Sequence, residues 1–273
     1  MDKKRFGIQA AATLLQNANF KGFFTGKIYT GAGKNVCVPG INCYSCPGAV
    51  GACPLGSLQG FLSSRPIHFP YYVLGLLIFF GAVLGRLVCG FLCPFGFLQE
   101  LLHKIPFPKK IKTFRGDRVL RYLKYILLAL TVTLPLFFAL TPFFCKYVCP
   151  AGTVAGALLA AADARIRPLL GRLFARKLFL LILIVILSLM IYRPFCRYIC
   201  PLGAFYGLFN RFSLYGEKLD ADKCAACGKC ANVCPMAVDP IRNADSRECI
   251  RCGKCADICP TGAVQFGWKF KKQ

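Results

Sequence analysis

The chain has 273 residues, is 56% hydrophobic, and combines a mean hydropathy of +0.53 with a formal net charge of +24. That apolar share excludes an ordinary soluble domain and points to a membrane protein. Two histidines, His68 and His103, neither inside an apolar run, cannot supply the paired axial ligands of a membrane cytochrome, and 18 cysteines call instead for disulfides or metal clusters.

In chain order, residues 6–24 read as a helix diluted by Gln9, Gln16, Asn17, Asn19 and Lys21, too interrupted for a signal peptide. The stretch CVPGINCYSCPGAVGACPLGSLQ follows at 37–59. Three apolar runs, 71–88, 125–144 and 178–195, have the length needed to cross a hydrocarbon core of roughly 30 Å. The expected fold of residues 1–213 is therefore a membrane all-α part with about four transmembrane helices.

A unit recurs through this part: CPLGSLQGFL from Cys53, CPFGFLQELL from Cys93, CPAGTVAGALL from Cys149 and CPLGAFYGLF from Cys200. A second cysteine stands four residues earlier in three of them, as Cys89, Cys145 and Cys196. The first repeat has Ala49 at that position, with Cys37, Cys43 and Cys46 upstream. Proline after cysteine suits the first position of a helix, which puts the cysteine at the N-cap. The positive end of the helix there favours a thiolate and the negative charge of a thiolate-held cluster. Arg86, Lys146, Arg193 and Arg197 are near enough in sequence to neutralise the same charge. Buried free thiols or disulfides are the alternative reading.

The composition changes near Ser213. Lys and Arg outnumber Asp and Glu 25 to 4 before residue 214 and 10 to 7 after it. Residues 214–273 carry two C-x2-C-x2-C-x3-C-P runs, Cys224, Cys227, Cys230, Cys234 and Cys249, Cys252, Cys255, Cys259. This is the spacing of a two-cluster bacterial ferredoxin, an α+β domain in which each run's fourth cysteine serves the other cluster. One [4Fe-4S] cluster would take Cys224, Cys227, Cys230 and Cys259, and the other Cys249, Cys252, Cys255 and Cys234. A pair of zinc knuckles is the competing reading.

The CGFLCP and CRYICP segments, the span layout and the terminal double ferredoxin together resemble the NapH/MauN-type membrane polyferredoxins, which have relatives in the membrane half of NosR-like proteins. The resemblance covers nearly the whole chain. It implies cytoplasmic termini, an inner pair of C-x3-C-P motifs (here Cys89/Cys93 and Cys196/Cys200), and electron passage between membrane quinol and a terminal reductase system. The thiols Cys37, Cys43, Cys46, Cys53, Cys145 and Cys149 depart from the nitrate-reductase type.

With an inner N-terminus, residues 25–70 and 145–177 fall outside, and 89–124 and everything after 196 inside. Lys and Arg then number 23 inside and 9 outside, in line with the positive-inside rule. The run Arg165, Arg167, Arg172, Arg176, Lys177 on the outer side leaves open a re-entrant 150–163. The alternation gives an internal duplication. Cys89 and Cys93 meet Cys196 and Cys200 in one inner cluster. Cys53, Cys145 and Cys149, joined by Cys43 or Cys46, form one or more outer clusters, with Cys37 as bystander and a disulfide clip as the alternative.

The expected function is membrane electron transfer through iron–sulfur clusters, between a quinone such as menaquinone or the outer face and a soluble ferredoxin or reductase subunit. The protein would be a multi-pass component of the cytoplasmic membrane with its ferredoxin domain in the cytoplasm. Faces a full 30 Å apart would be too far for one hop, so the cradles should dip inward or a quinone should bridge them. His68 and the Glu100/His103 pair are candidate proton partners for a quinone. The alternative is an accessory protein in the assembly, repair or regulation of another metalloenzyme. The basic residues flank spans in short loops, which favours lipid head groups over nucleic acid.

Overall fold

The computed structural model describes residues 2–269 apart from 65, 67, 68, 139, 140, 163–167, 169 and 170. His68, Arg165 and Arg167 thus lie outside the described residues.

The run 6–24 is two helices. α1 (Asp2–Gln16) stops where the Asn17 amide turns back to Thr13 O (3.0 Å), and α2 (Phe20–Thr25) begins after Asn19, whose amide donates to Pro47 O (2.7 Å). Asparagine competes with the helix for backbone groups in this way. α1 buries polar side chains, Arg5 and Gln9, against the protein, so it does not present an apolar surface all round.

The run 71–88 also breaks. α4 (Tyr71–Leu84) ends at Gly85, whose φ of +53° is strained for any residue with a Cβ, and Arg86 behind it is fully buried. α5 (Leu87–Phe91) then carries Cys89, and α6 (Pro94–Lys104) follows Cys93. After α7 (Asp117–Leu120), α8 (Leu123–Phe138) supplies the second apolar run and α10 (Arg172–Met190) the third, with α9 (Pro150–Ala162) between them.

Among the described residues two helices are long and apolar enough to cross a membrane, Asp117–Phe138 and Arg172–Met190. The four-helix expectation is met only to that extent, because the breaks at Asn17–Asn19 and at Gly85–Arg86 interrupt the other two runs. Both helices leave large apolar side chains uncovered, among them Ile126, Phe137, Phe179 and Ile182.

Each of the four repeated CP units begins a helix as expected: α3 (Pro54–Ser63), α6, α9 and α12 (Pro201–Phe209), each after an extended cysteine with ψ between 112° and 125°. The earlier cysteine of each pair sits on a short turn ahead, α5, the π-helical turn Phe144–Val148, or α11 (Pro194–Tyr198). The packing repeats too: α3 lies on α8 and α6 on α10, while α12 runs back along α8 and α9 along α10. One core joins both halves and contains Cys37, Cys53, Cys89, Cys93, Cys149, Cys196 and Cys200.

In the tail, β1 (Tyr215–Leu219) pairs antiparallel with β2 (Val264–Trp268), from Tyr215↔Trp268 to Leu219↔Val264. Two short packed helices, α13 (Lys229–Val233) and α14 (Lys254–Ile258), lie between the strands in sequence.

Candidate iron–sulfur centres

All 18 cysteines are free thiols, and 16 of them gather in four groups of four. In the tail, one cavity is lined by Cys224, Cys227, Cys230 and Cys259, and a second by Cys234, Cys249, Cys252 and Cys255. The third residue of each C-x2-C loop, Ala226 or Arg251, has a positive φ, and Gly228 and Gly253 cap α13 and α14 in the same conformation. Such turns aim successive N–H groups at one point and form an anion-holding nest. Val238 N and Arg251 N lie 3.4 Å from the sulfurs of Cys234 and Cys249.

In the first half, Cys89, Cys93, Cys196 and Cys200 lie within electrostatic reach of one another. The Cys200 sulfur accepts from Gly203 N (3.2 Å), as the N-cap reading requires. The other group is Cys43, Cys53, Cys145 and Cys149. A methyl placed on Gly56 would touch both Cys145 Sγ and Cys53 Cβ at 3.8 Å, and one on Gly152 would lie 3.8 Å from Cys43 Sγ. Cys37 stands apart, and Cys46 lies beside Cys43 and lines the same cavity. Cys46 lies in the turn closed by its own N–H on Cys43 O (3.0 Å), and Cys37, bridged to Ala52, faces Ser57 Oγ (3.6 Å).

These donor sets fit [4Fe-4S] clusters. Four thiols surround each site, N–H groups point at their sulfurs, and among the described residues no three potential ligands converge on a single-ion site of the zinc type.

Basic side chains are shared across the halves. Arg86 donates to Cys196 O (2.7 Å) and Arg193 to Cys89 O, so the arginine three residues before each cysteine supports the opposite one. Glycine at the third position after each CP cysteine admits them: a methyl on Gly96 would meet Arg193 Nη1 at 2.9 Å, and one on Gly203 would meet Arg86 Nη2 at 3.4 Å. Arg197 instead pairs with Asp117 (2.7 Å), and Lys146 turns to Thr141 (3.3 Å), away from the thiols. Lys177, on α10, takes the place expected of Lys146 and donates to Cys145 O (3.1 Å).

Glu100 bridges Arg5 and Arg193 (2.7 Å to the latter). Burial acts to raise its pKa, but the two guanidiniums outweigh it and hold the carboxyl at about 2, so Glu100 is no proton partner near neutral pH. His103 is half-buried against Ser188 O (3.2 Å), and burial lowers its pKa.

The four groups adjoin in sequence. Phe144 and Phe195, each just ahead of a cysteine pair and each fully buried, meet with ring centroids 6.4 Å apart. Tyr206 donates to Pro39 O (2.9 Å) among Cys89, Cys93, Cys53 and Cys200, and a methyl on Gly40 would strike Cys93 Cα at 2.8 Å. The two cradles thus abut. On the other side Gly90 abuts Ile250 O so closely that a methyl would come to 2.3 Å. Arg86 also holds Arg247 O (2.7 Å) and Glu248 (2.9 Å), and Asn210 donates to Cys249 O (2.8 Å). Lys124 also binds Glu248, whose carboxyl burial would raise but Arg86 and Lys124 hold at about 2. Glu217 lines the cavity of Cys234, Cys249, Cys252 and Cys255 with neither oxygen hydrogen-bonded, and burial, reinforced by Asp245, raises its pKa to about 7.

Sequence reasoning did not single out Gln59, Gln99, Glu217 or the CPxG glycines, and it met Lys177 only as part of a basic run. The repeated Gln and Gly in CPLGSLQ and CPFGFLQ were a visible signal; Lys177 and Glu217 left none, because their partners are distant in the chain.

The 4Fe-4S binding domain family matches residues 66–114, 123–178 and 173–219, and the 4Fe-4S dicluster domain family matches 217–260. An uncharacterised protein of Methanocaldococcus jannaschii is 32% identical over 81% of this chain and 88% of its own length. The methylamine utilization ferredoxin-type protein MauN of Paracoccus denitrificans is 33% identical over 65% of this chain and 59% of its own. The ferredoxin-type protein NapH of Haemophilus influenzae is 30% identical over 59% and 52%. The chain thus spans little more than half the length of the two named relatives. No solved structure matches it. By these matches, and by the cysteine groups they cover, the chain belongs to the NapH/MauN-type family of 4Fe-4S ferredoxin-like proteins.

Proposed function

We propose that this chain is a membrane electron-transfer protein with four [4Fe-4S] clusters in line. The observation that carries this reading is the contiguity of the four thiol groups, from Cys43/Cys53/Cys145/Cys149, through Cys89/Cys93/Cys196/Cys200 and Cys234/Cys249/Cys252/Cys255, to Cys224/Cys227/Cys230/Cys259. Each cluster, when bound, supplies a reversible one-electron centre. The chain's own residues hold and insulate these centres: Phe144, Phe195 and Tyr206 exclude water between the first two, while Arg86 and Arg193 offset negative charge at the second.

The solvent-exposed Cys227 puts the last group at the surface, where a soluble ferredoxin or reductase would exchange electrons. The excess of Lys and Arg on the side of the tail supports a cytoplasmic tail in a multi-pass protein. Residues 1–213 then act as the membrane part and 214–273 as the ferredoxin domain. A cavity beside Cys43 and Cys46, lined mainly by apolar groups such as Phe95, Leu98 and Val154, is where a menaquinone-like donor would approach the first group.

Anaerobic iron and sulfide analysis of the full chain should give about 16 Fe. A value near 8 would confine iron to the tail and overturn the reading. Reoxidation of the reduced protein in detergent by a menaquinone analogue tests the quinone separately.

A further inference from the structure

Two glutamines occupy equivalent places in the duplicated half. Gln59 is six residues after Cys53, and Gln99 six after Cys93, on α3 and α6. The Gln99 side chain accepts from Phe195 N (3.0 Å), and its amide donates to Cys196 Sγ (3.2 Å) and towards Phe95 O (3.3 Å). Gln59 accepts from Phe144 N (3.0 Å), and its amide donates to Cys145 Sγ (3.5 Å) and towards Leu55 O (3.4 Å). Both side chains are buried, with 0% and 1% exposure, where an amide without partners is costly. The same three contacts thus recur at two sites about 40 residues apart in sequence, although one site has Cys89 where the other has Ala49. The helices after Cys149 and Cys200 carry Ala155 and Tyr206 at this position, so each cradle has one glutamine clasp.

We propose that Gln59 and Gln99 are paired positioning residues: each clasps the cysteine turn of the other half through a Phe N–H, and each tunes its own cluster through an amide N–H to one ligand sulfur. This rests on the cluster reading above. A donor to a ligand sulfur stabilises the extra negative charge of the reduced state and so raises the reduction potential. The two functions separate chemically. The amide oxygen alone holds the Phe N–H, and the amide nitrogen alone meets the sulfur.

The experiment is potentiometry, monitored by electron paramagnetic resonance, on the full chain carrying Gln99→Met or Gln99→Glu. Gln99→Met removes both contacts at nearly constant length, whereas Gln99→Glu keeps the acceptor for Phe195 N. We expect the inner cluster's potential to move negative in each variant that retains it, with the other three unchanged, and Gln59→Met to move the outer cluster instead. An unmoved potential with iron retained overturns the proposal, and so does loss of the inner cluster in both variants, which would make Gln99 structural only. Wild-type protein with only about 8 Fe would instead sink the cluster reading itself.

A different observation concerns the junction with the tail. A cleft of about 830 Å³ opens there, lined by Arg118, Arg121, Arg211, Arg242 and Arg247 with Tyr122. Its two carboxylates are occupied, Asp245 by Lys269 (3.0 Å) and Glu248 by Arg86 and Lys124, while Arg121 pairs with Asp117 (2.7 Å) and Arg242 with Asp239 (3.5 Å), so Arg118, Arg211 and Arg247 give the lining its net positive charge. Arg118 and Arg121 stand at the start of the apolar helix Asp117–Phe138, and Val119 and Phe212 nearby are 75% and 76% exposed. Arginines beside uncovered apolar and aromatic groups at a helix end fit the headgroup level of a bilayer.

We infer that the cleft seats the phosphodiester of an anionic lipid, which rests on the membrane reading. Short-chain phosphatidylglycerol titrated into the detergent-solubilised chain should bind at least several-fold more tightly than short-chain phosphatidylcholine. Arg118→Gln combined with Arg211→Gln and Arg247→Gln should abolish the difference. Equal binding of inorganic phosphate would assign the cleft to a free anion and overturn the lipid, as would unchanged lipid binding in the variant. A chain that stays soluble without detergent would overturn the membrane reading instead.

Discussion

The two cradles of the first half share a backbone plan and a glutamine clasp, and differ in where the fourth thiol comes from and in the charge that serves them. Each has a CP helix, a glutamine clasp and a cysteine turn from a distant segment. The inner cradle takes its four thiols from two C-x3-C-P units and is locked by Arg86 and Arg193, both fully buried. The outer cradle has Ala49 in place of a cysteine, fetches Cys43 from an irregular loop, and is served by one lysine, Lys177. The helix start and its clasp therefore define the site, while the fourth thiol and the balancing charge can come from any segment the fold brings near.

The largest effect expected from this comparison is on iron. Cys93→Ser or Cys200→Ser should remove one cluster, leaving about 12 Fe and an intact outer signal, and Cys149→Ser should do the converse. Iron analysis with spectroscopy of each variant checks it. Loss of both signals from one substitution would mean that the cradles share a ligand.

Next in size is the arginine lock. Arg86→Leu leaves Glu248 with Lys124 alone and strips Cys196 O and Arg247 O of their donor. Breaking a buried charge pair costs about 3–5 kcal/mol. Since Arg86 joins the tail to the first half, the tail should become a target for limited proteolysis while keeping its own two clusters. Lys177→Leu should cost less, because it removes one hydrogen bond to a carbonyl, worth about 1–3 kcal/mol.

Smaller still are the glycines. Gly96→Ala pushes a methyl to within 2.9 Å of Arg193 and 3.2 Å of Cys89 O, whereas at Gly152 the nearest atom is the flexible Lys177 Nζ at 3.4 Å. Overpacking of the first kind costs roughly 1–3 kcal/mol. Thermal shift assays should rank Gly96→Ala clearly below Gly152→Ala, and the reverse order would show that the inner cradle is the looser one.

How much of this was legible in the chain follows from the range of each interaction. The tail's cysteine sets read directly, because ligand spacing is local, and the structure lines two cavities with the interleaved sets. CP as a helix start read equally well, since proline and an N-cap act within one turn. The meeting of Cys89/Cys93 with Cys196/Cys200 followed from the duplication. Helix length was misjudged where apolar runs crossed Gly85–Arg86 and Asn17–Asn19, because hydropathy averages over a buried arginine whose carboxylate partner lies 162 residues away. Glu100 looked like a free acid for the same reason: Arg5 and Arg193 lie 95 and 93 residues from it.

Two substitutions expected to have no effect decide which thiol completes the outer cradle. Cys43 reaches the group from a loop held by its neighbours: Asn42 donates to Gln16 O (3.1 Å), and Cys46 N closes the turn on Cys43 O. Cys46 is two residues beyond Tyr44, whose carbonyl accepts from the buried Lys34 (2.6 Å), and it lies beside Cys43 in the same turn. Cys37 is fixed by its bridge to Ala52 and by Ser57. Cys46→Ser and Cys37→Ser should therefore leave iron content and the outer signal unchanged, and Cys43→Ser should abolish that signal. If Cys46→Ser loses four Fe and Cys43→Ser none, the turn presents the other thiol, and the outer cradle resembles the inner one more closely than the placement of Cys43 implies.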